Sequence, residues 1–486
     1  MRFLFVFKSV EWIGIEYLSS ALKKAGHRTD LAFEAGLEGT FHLNYKIGNH
    51  RRILTKIREF KPDIVLFSCT TNLFPWVKEV AAEIKKNFNL PILAGGIHPT
   101  VLPEKVISCP DIDMVCIGEG EEAIVELADR LRDGQAYLKT DNFWFKQGGQ
   151  IIKNPVRPLI ESLDNLPFPD KDLFYKHGCF IKRAYVVTGR GCPYNCPYCF
   201  NHKMQEIYKG KCKNYVRKRS IENVIEELKG YKERYKIASV HFYDDTFILD
   251  KDWIFRFSTQ YKEKIGLPFY CLVRGNLVTK EIMLALKNAG CVCVGMGIES
   301  GDEFIRNNLL RRCMSDGQII DAANIIKSLG IKLVTFNIFG LPGETPAQML
   351  CTMKINLQIK PESLFTYIFY PFPGTDLMRL AREKGFLEEK SVKMISEGFG
   401  NYQSVSLLKH PYGYIAYNMK VILPLLNKIP QVFQRYFVEK WVFNKHSKIW
   451  LSFIKMISIP FYSCWESRER FKEQLRMLGA YHLKRH

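Results

Sequence analysis

Short apolar segments alternate with amphipathic helical segments along most of the chain, and this alternation constrains the fold more than any other feature. RFLFVF at residues 2–7 is followed by EYLSSALKKAGH at residues 16–27, and DIVLFSC at residues 63–69 by FPWVKEVAAEIKKNF at residues 74–88. Apolar runs bounded by turns indicate buried strands, and spacings of three and four indicate helices. This alternation in residues 1–140 therefore predicts a doubly wound, Rossmann-like α/β domain with a parallel sheet.

The loops that follow these strands are candidates for a ligand site. Doubly wound sheets bind ligands at the carboxyl ends of their strands, and glycines there allow a ligand close to the backbone. The pattern alone leaves open whether a ligand binds, since many such domains carry the same glycines without a nucleotide. The candidate binding residues are Ser68, Cys69, Thr70, Thr71, Gly95, Gly96, Gly118, Glu119, Gly120 and Glu121.

The alternation stops in a linker at residues 141–180 and resumes in a second domain at residues 181–385. The linker contains a predicted hairpin around Gly148 and a segment rich in Pro and Asp. The second domain has about six strand–helix units, which predict a partial (β/α)6 barrel with its active site at the carboxyl ends of the strands. Polar residues converge there: Asp244, Asp245, Arg274, Glu299 and Ser300.

Three cysteines lie within eight residues in GRGCPYNCPYCFN, at Cys192, Cys196 and Cys199. A structural zinc site uses four ligands, and an ordinary iron–sulfur cluster also has four cysteines. The absence of a nearby fourth thiol indicates a metal centre with one open position. The scattered cysteines are typical of small buried core residues.

The chain has 486 residues, which predicts more than one domain, and a net charge of +20, which favours an anionic partner. Residues 409–486 carry fourteen Lys and Arg against four Glu. We expect a helical, basic and aromatic region at residues 386–486. It is either a packed cap or an interfacial surface that places Trp441, Phe443, Trp450, Phe453 and Phe461 at lipid headgroups. Its longest apolar run is too short and interrupted for a membrane span.

The apolar N-terminus lacks a small-residue cleavage site, so it is typical of a buried strand rather than of a signal peptide. We therefore expect a cytoplasmic protein, with possible peripheral contact at the inner face of the membrane. No nucleic-acid recognition motif accompanies the basic charge, so no nucleic-acid partner is expected.

The spacing Cys-x3-Cys-x2-Cys, with Tyr198 before the last cysteine, resembles the radical S-adenosylmethionine (SAM) superfamily. The resemblance implies a 4Fe–4S cluster held by Cys192, Cys196 and Cys199, whose fourth iron binds SAM. It also implies an external electron donor of the flavodoxin or ferredoxin type and a 5′-deoxyadenosyl radical. Tyr198 and Phe200 are expected beside the cofactors.

The first domain resembles the cobalamin-binding domain that precedes some radical SAM domains, through GIEYLSSALKKAGH, PDIVLFSCTT, PILAGGIHPTVLPE and IDMVCIGEGEEAIVELA. The motif Asp-x-His-x-x-Gly, whose histidine binds cobalt in other cobalamin enzymes, is absent. We therefore expect cobalamin without a histidine below the cobalt, and a loop hydrogen bond for His98.

Further segments, VHFYDDTF, GMGIESGDEFI, NIFGLPGET and FYPFPGTDL, resemble the cobalamin-dependent branch of the superfamily. The resemblance implies that Glu299 holds the polar groups of SAM, that Asp244 or Asp245 lies near its ammonium, and that Arg274 meets its carboxylate.

The function implied is that of a cobalamin-dependent radical SAM methyltransferase acting on an unactivated carbon. The alternative within the same class is an oxidative cyclase similar to the anaerobic cyclase of chlorophyll synthesis. An alternative of another class is a cobalamin- or redox-sensing protein, against which the cysteine triad and Glu299 argue. The expected substrate is a small or lipid-like molecule that the sequence does not specify.

Overall fold

Two sheets, one in each half of the chain, form the framework of the protein. The structure is a computed structural model that describes residues 1–35, 50–179, 182–400 and 407–445. The predictions for Trp450, Phe453 and Phe461 lie outside the described residues.

The first sheet has seven strands: β1 (Arg2–Ser9), β2 (Arg28–Ala35), β3 (Ile64–Ser68), β4 (Ile92–Gly95), β5 (Met114–Cys116), β6 (Phe143–Gln147) and β7 (Gln150–Lys153). Their order is β2-β1-β3-β4-β5-β6-β7. The first five are parallel, whereas β6 and β7 form an antiparallel hairpin on β5. The sheet therefore continues beyond residue 140, into the segment assigned to the linker from the sequence.

Helices cover both faces of this sheet: α1 (Ile13–Lys24), α2 (Arg51–Phe60), α3 (Phe74–Asn87), α4 (Ile97–Val101), α5 (Pro103–Ile107) and α6 (Glu121–Arg132). Alternate side chains of β1 enter different layers, as the period of two along a strand requires. Phe5 and Phe7 pack in the layer that contains α1 and α6, whereas Leu4 and Val6 pack in the layer of α2 and α3. This arrangement confirms the predicted doubly wound domain.

The connector between the domains is anchored through a buried lysine just before the short helix α7 (Asp172–Tyr175). Lys171 Nζ donates to Glu11 Oε1 and Glu16 Oε2, each at 2.6 Å, and to the carbonyl of Tyr185 at 3.0 Å. Burial is the largest influence on Glu16 and raises its pKa, while the Lys171 charge opposes that shift. One connector residue thereby links the first domain to the first strand of the second.

The second sheet has six parallel strands: β8 (Arg183–Val186), β11 (Ser239–Phe242), β12 (Phe269–Val273), β13 (Cys291–Glu299), β14 (Lys332–Phe339) and β15 (Ser363–Ile368). They neighbour one another in chain order, as the predicted partial barrel requires. A small antiparallel ribbon follows β8, formed by β9 (Gly189–Arg190) and β10 (Arg217–Lys218).

The helices of the second domain are α8 (Phe200–Ile207), α9 (Ile221–Tyr235), α10 (Lys251–Lys264), α11 (Lys280–Ala289), α12 (Asp316–Ser328) and α13 (Pro346–Ile359). Local sequence fixes several of their starts. Ser315 Oγ accepts from the Gln318 backbone at 3.2 Å, and the Gln318 side chain accepts from the Ser315 backbone at 3.0 Å. This reciprocal pair satisfies two backbone donors where α12 begins.

The described part of the C-terminal region is helical, as predicted. Helix α14 (Asp376–Glu383) precedes this region, and the region itself contains α15 (Glu389–Ser396), α16 (Gly413–Leu426) and α17 (Gln431–Phe437). Helix α16 packs on the edge of the second sheet, where Ile415, Met419 and Leu423 share a core with Leu364 and Ile368. Among the described residues, no helix combines the length and the apolar character needed to cross a bilayer.

Candidate active site

The cysteine loop lies directly beyond the ribbon that follows β8. Cys199 precedes α8, and its backbone N–H donates to the carbonyl of Cys196 at 3.0 Å. The three cysteines of the loop supply three of the four ligands that a structural zinc site or an ordinary iron–sulfur cluster requires, which fits a metal centre with one open position.

The thiols of Cys192 and Cys199 are protonated near pH 7 unless a metal binds, because burial raises the pKa of each. For Cys199 the pKa rises to about 12. Coordination to a metal ionises a thiol outright. The loop is thus suited to hold thiolates through coordination rather than to present a free nucleophile.

Arg274 is buried against the cysteine loop. Its guanidinium lies 3.6 Å from the centre of the Tyr194 ring, and Nη1 is 4.0 Å from Cys196 Sγ. Its other nitrogens donate to Asn276 at 2.9 Å and to the carbonyl of Arg312. The structure thus surrounds Arg274 with protein partners and places its positive charge beside a cysteine sulfur.

Glu299 lies at the carboxyl end of β13 with a left-handed backbone, at φ +65°. A non-glycine residue in this region is uncommon and costs free energy, which is often observed at functional sites. Burial raises the pKa of Glu299, whereas the neighbouring Arg312 and Tyr198 act in the opposite direction. The next residue, Ser300, is fully buried. Its backbone N–H donates to the carbonyl of Ile298, its Oγ accepts from the Asp302 backbone, and its carbonyl accepts from Arg306.

Arg312 is a candidate that the sequence reasoning missed. Its Nη1 donates to Tyr198 Oη at 2.8 Å and lies 3.5 Å from Glu299 Oε1, and Nη2 donates to the carbonyl of Gly297 at 2.7 Å. Its buried Nε has no hydrogen-bond partner. Arg312 follows Arg311 in an irregular segment after β13, where only the fold could indicate which arginine turns inward.

The two adjacent aspartates have different surroundings. Asp244 is buried and accepts from the Thr188 backbone at 2.9 Å, from Thr188 Oγ1 at 2.6 Å and from Lys218 Nζ at 3.1 Å. It therefore joins the end of β11 to the ribbon. Asp245 is exposed to solvent, and its charge helps to raise the pKa of Cys192 and Cys199. Of the pair, Asp245 has the carboxylate that a ligand can reach.

Phe200 has a packing role, since its ring contacts Phe372 with ring centres 5.1 Å apart.

A cavity of about 330 Å³, here called the junction cavity, opens where the strands of the first sheet end. Seven predicted residues line it: Ser68, Gly95, Gly96, Gly118, Glu119, Gly120 and Glu121. Cys69, Thr70 and Thr71 are outside its lining. Two glycines are required by close packing: a Cβ at Gly96 would lie 3.0 Å from the Cys69 backbone, and one at Gly118 would lie 2.0 Å from Tyr208 Oη.

Several lining residues were not predicted. The start of α1 contributes apolar side chains, including Trp12, Tyr17 and Leu18, while Val187 and Arg190 come from the second domain. Apolar walls with a glycine floor suit a flat aromatic group such as the base of a cobalamin nucleotide. His98 lies outside this lining. It is buried, with Nδ1 3.3 Å from Thr71 Oγ1, and burial lowers its pKa to about 4, so it is neutral near pH 7.

Four charged side chains, here called the junction ion pairs, connect the cavity to the second domain. Arg217 donates to both oxygens of Glu119, at 2.6 and 2.9 Å, and Arg190 donates to Glu121 at 2.6 Å. Burial acts against ionisation of Glu119, yet the two arginines lower its pKa overall. Arg190 stands two residues before Cys192. The carboxylates predicted as cofactor contacts thus hold the cysteine loop to the cavity.

Comparison with known proteins supplies the family. The family model of the radical SAM superfamily matches residues 186–354, and that of the B12 binding domain matches residues 6–128. An uncharacterised methyltransferase of Pyrococcus horikoshii is 33% identical over 333 residues, which span 67% of this chain and 70% of the relative. The chain is a cobalamin-binding radical SAM enzyme. The first match contains the three cysteines, and the second contains the predicted glycine loops.

More distant relatives of this radical SAM enzyme have different activities. The anaerobic magnesium-protoporphyrin IX monomethyl ester cyclase of Cereibacter sphaeroides is 24% identical over 389 residues, covering 76% of this chain and 60% of the cyclase. The radical SAM methyltransferase TsrM of Kitasatospora setae, solved with cobalamin and a [4Fe–4S] cluster, superposes with a TM-score of 0.68 over 99% of both chains. At 14% identity, this likeness concerns the fold.

Proposed function

We propose that this radical SAM enzyme transfers a methyl group to an unactivated carbon of a small-molecule substrate. The observation that carries the proposal is the connection through Arg190, which lines the junction cavity and stands two residues before Cys192. A cobalamin site and a cluster site joined in this way suit an enzyme that uses both cofactors on one substrate.

The chain's own residues bind and orient these cofactors. Cys192, Cys196 and Cys199 hold the cluster, and the junction cavity holds the nucleotide tail of cobalamin. When bound, the cluster supplies the electron that cleaves SAM, and cobalamin supplies the methyl group. The cavity rim and the cysteine loop keep the two sites in a fixed relation.

We assign the polar groups of SAM to Glu299, Asp245 and Arg312. Glu299 and Asp245 are acceptors for its ammonium, and the Arg312 guanidinium suits its carboxylate. Arg312 is preferred to Arg274 because it lies beside Glu299 and its Nε has no partner, whereas Arg274 donates to Asn276 and Arg312 and stacks on Tyr194. Arg312→Lys should weaken SAM binding in equilibrium dialysis much more than Arg311→Lys, its exposed neighbour. Equal affinities would contradict the assignment.

The test of methyl transfer uses the full chain, reconstituted without oxygen with iron, sulfide and cobalamin, and SAM carrying a deuterated methyl group. After reduction, we expect 5′-deoxyadenosine, S-adenosylhomocysteine and deuterated methylcobalamin, all measured by mass spectrometry. The cyclase alternative predicts 5′-deoxyadenosine without labelled methylcobalamin. That result would overturn the methyltransferase proposal and leave the radical chemistry standing.

We further infer that the enzyme receives its electron from a flavodoxin or ferredoxin and contacts the membrane surface peripherally. Support for the membrane contact is an exposed apolar patch on α17. Val432 is 76% exposed, Phe433 54% and Tyr436 55%, and Arg435 lies among them. Exposed aromatic and apolar residues beside basic ones suit an anionic headgroup layer.

A further inference from the structure

Side chains along the second sheet alternate between fully buried and partly accessible positions. Ala184 and Val186 of β8, and Val240 and Phe242 of β11, belong to the core packed against the helices. Tyr185, between the first two, is partly accessible and belongs to the opposite face. Because successive residues of a strand point to opposite faces, the accessible side chains line the concave interior of the partial barrel.

The accessible side chains of this interior, here called the inner wall, are predominantly aromatic. The rings of Tyr185 and Tyr243 have centres 5.1 Å apart, and those of Phe336 and Phe365 lie nearly parallel with centres 5.7 Å apart. The inner wall consists of Tyr185, Tyr243, Leu272, Phe336, Ile338, Phe365 and Tyr367. It presents ring faces and hydrocarbon from four strands and from the residue that follows β11.

Gly295 in β13 leaves room for large side chains of the two neighbouring strands. A Cβ at Gly295 would lie 2.1 Å from Tyr270 Oη, 2.8 Å from the Phe336 ring and 2.9 Å from Leu272. Any side chain at this position would collide with all three neighbours. The middle of the sheet is thus built around the aromatic side chains of β12 and β14.

The Asp, Glu, Lys and Arg residues of this sheet are confined to its two ends, whereas His241 of β11 packs its ring against Tyr185 and Tyr270. Glu299, the last residue of β13, is the only Asp or Glu in the six strands. The cations Arg183 and Lys332 are the first residues of β8 and β14. A substrate between these ends therefore meets a wall without Asp, Glu, Lys or Arg, with polar groups of the active site beyond its carboxyl end.

We propose that the substrate is an apolar compound with a ring-containing hydrocarbon body that lies on the inner wall. This inference rests on the proposed function and specifies the substrate class of that site. A nucleotide or sugar phosphate would bring anionic phosphate against a wall that has tyrosine hydroxyls but no Lys or Arg between its ends, which is costly. Hydrocarbon rings instead pack on aromatic faces, and the reactive carbon points to the cysteine loop.

The test measures binding of N-phenyl-1-naphthylamine, an uncharged ring compound, to the reconstituted full-length enzyme by equilibrium dialysis. Phe336→Asn and Phe336→Leu form a matched pair, because Asn and Leu have similar size and differ in polarity. We expect Phe336→Asn to weaken binding about tenfold and Phe336→Leu to weaken it less than threefold. Phe433→Asn, in the exposed patch of α17, should leave binding unchanged.

Equal loss in the Asn and Leu variants, or loss only in Phe433→Asn, would overturn the inference. Phe365→Asn provides a second position on the same wall should Phe336→Asn fail to fold, and it should also weaken binding about tenfold. The production of 5′-deoxyadenosine is measured separately. Probe binding as expected without 5′-deoxyadenosine would refute the proposed function alone, and the reverse would refute the substrate class alone.

Discussion

Replacing Glu119 with Gln removes one charge from the junction ion pairs while preserving the size of the side chain. The Glu119 carboxylate accepts hydrogen bonds from Nη1 and Nη2 of Arg217 and lies 3.3 Å from Arg190 Nη1. The side chains of Glu119 and Arg217 are 16% and 6% exposed. The variant therefore leaves the Arg217 guanidinium buried without a charged partner, which is the costly way to break an ion pair.

The expected destabilisation follows from that burial. Removing one partner of a buried ion pair costs about 3–5 kcal/mol. Gln can still accept one hydrogen bond, so we expect a loss of about 3 kcal/mol in the free energy of unfolding. Glu126→Gln, on the helix α6 that follows Glu119, is the matched control, since Glu126 is 35% exposed and pairs with Arg157 and Arg130. A pair so accessible contributes about 0–1 kcal/mol.

Urea unfolding of Glu119→Gln, Arg217→Met and the double variant gives the coupling free energy between the two side chains, from a double-mutant cycle. We expect a coupling of at least about 1.5 kcal/mol, since the partners are in direct contact. Cobalamin affinity, measured by dialysis, should fall in Glu119→Gln and remain unchanged in Glu126→Gln. A coupling below about 0.5 kcal/mol, together with unchanged cobalamin affinity, would refute this account of the junction.

Three further predictions concern other parts of the molecule. Burial raises the pKa of Glu344 to about 8 from 4.5, so its folded form keeps a proton that the unfolded chain releases, and stability declines as pH rises from about 4.5 to 8. Glu344→Gln should flatten this decline in urea unfolding between pH 5 and pH 8, and an unchanged slope would contradict it. Electron paramagnetic resonance of the cobalt(II) form should lack nitrogen splitting from an axial histidine, whereas such splitting would contradict the expectation of cobalamin without a histidine below the cobalt. The intact protein should float with anionic vesicles at low salt and detach as salt rises, and replacing Val432 and Phe433 with Ser should reduce flotation; recovery of the intact protein in the soluble fraction would mean that the tail is only a packed cap.

The fold could be predicted because its signals are local. The period of two in β1 and the helical period of α3 each arise within one segment, and neighbouring parallel strands follow chain order in the second sheet. The cysteine triad is also local, since its spacing is complete within eight residues. The glycines predicted at the strand ends line the junction cavity, because the end of each strand and its glycine are also adjacent in the sequence.

The remaining site residues depend on contacts between distant segments. Glu119 and Arg217 are separated by 98 residues, and the sequence around Glu119 contains no signal for an arginine in another domain. Arg312 likewise reaches Tyr198 across 114 residues. Asp244 and Asp245 are adjacent and chemically identical, and only the strand geometry directs one to Thr188 and the other to solvent.

The most direct test of the central claim, a three-cysteine cluster whose open iron binds SAM, is electron paramagnetic resonance of the reduced, reconstituted enzyme with and without SAM. The account predicts a 4Fe–4S signal that changes when SAM is added and is lost, with most of the cluster iron, in Cys196→Ala. A signal that is identical with and without SAM, or full iron content in Cys196→Ala, would contradict it.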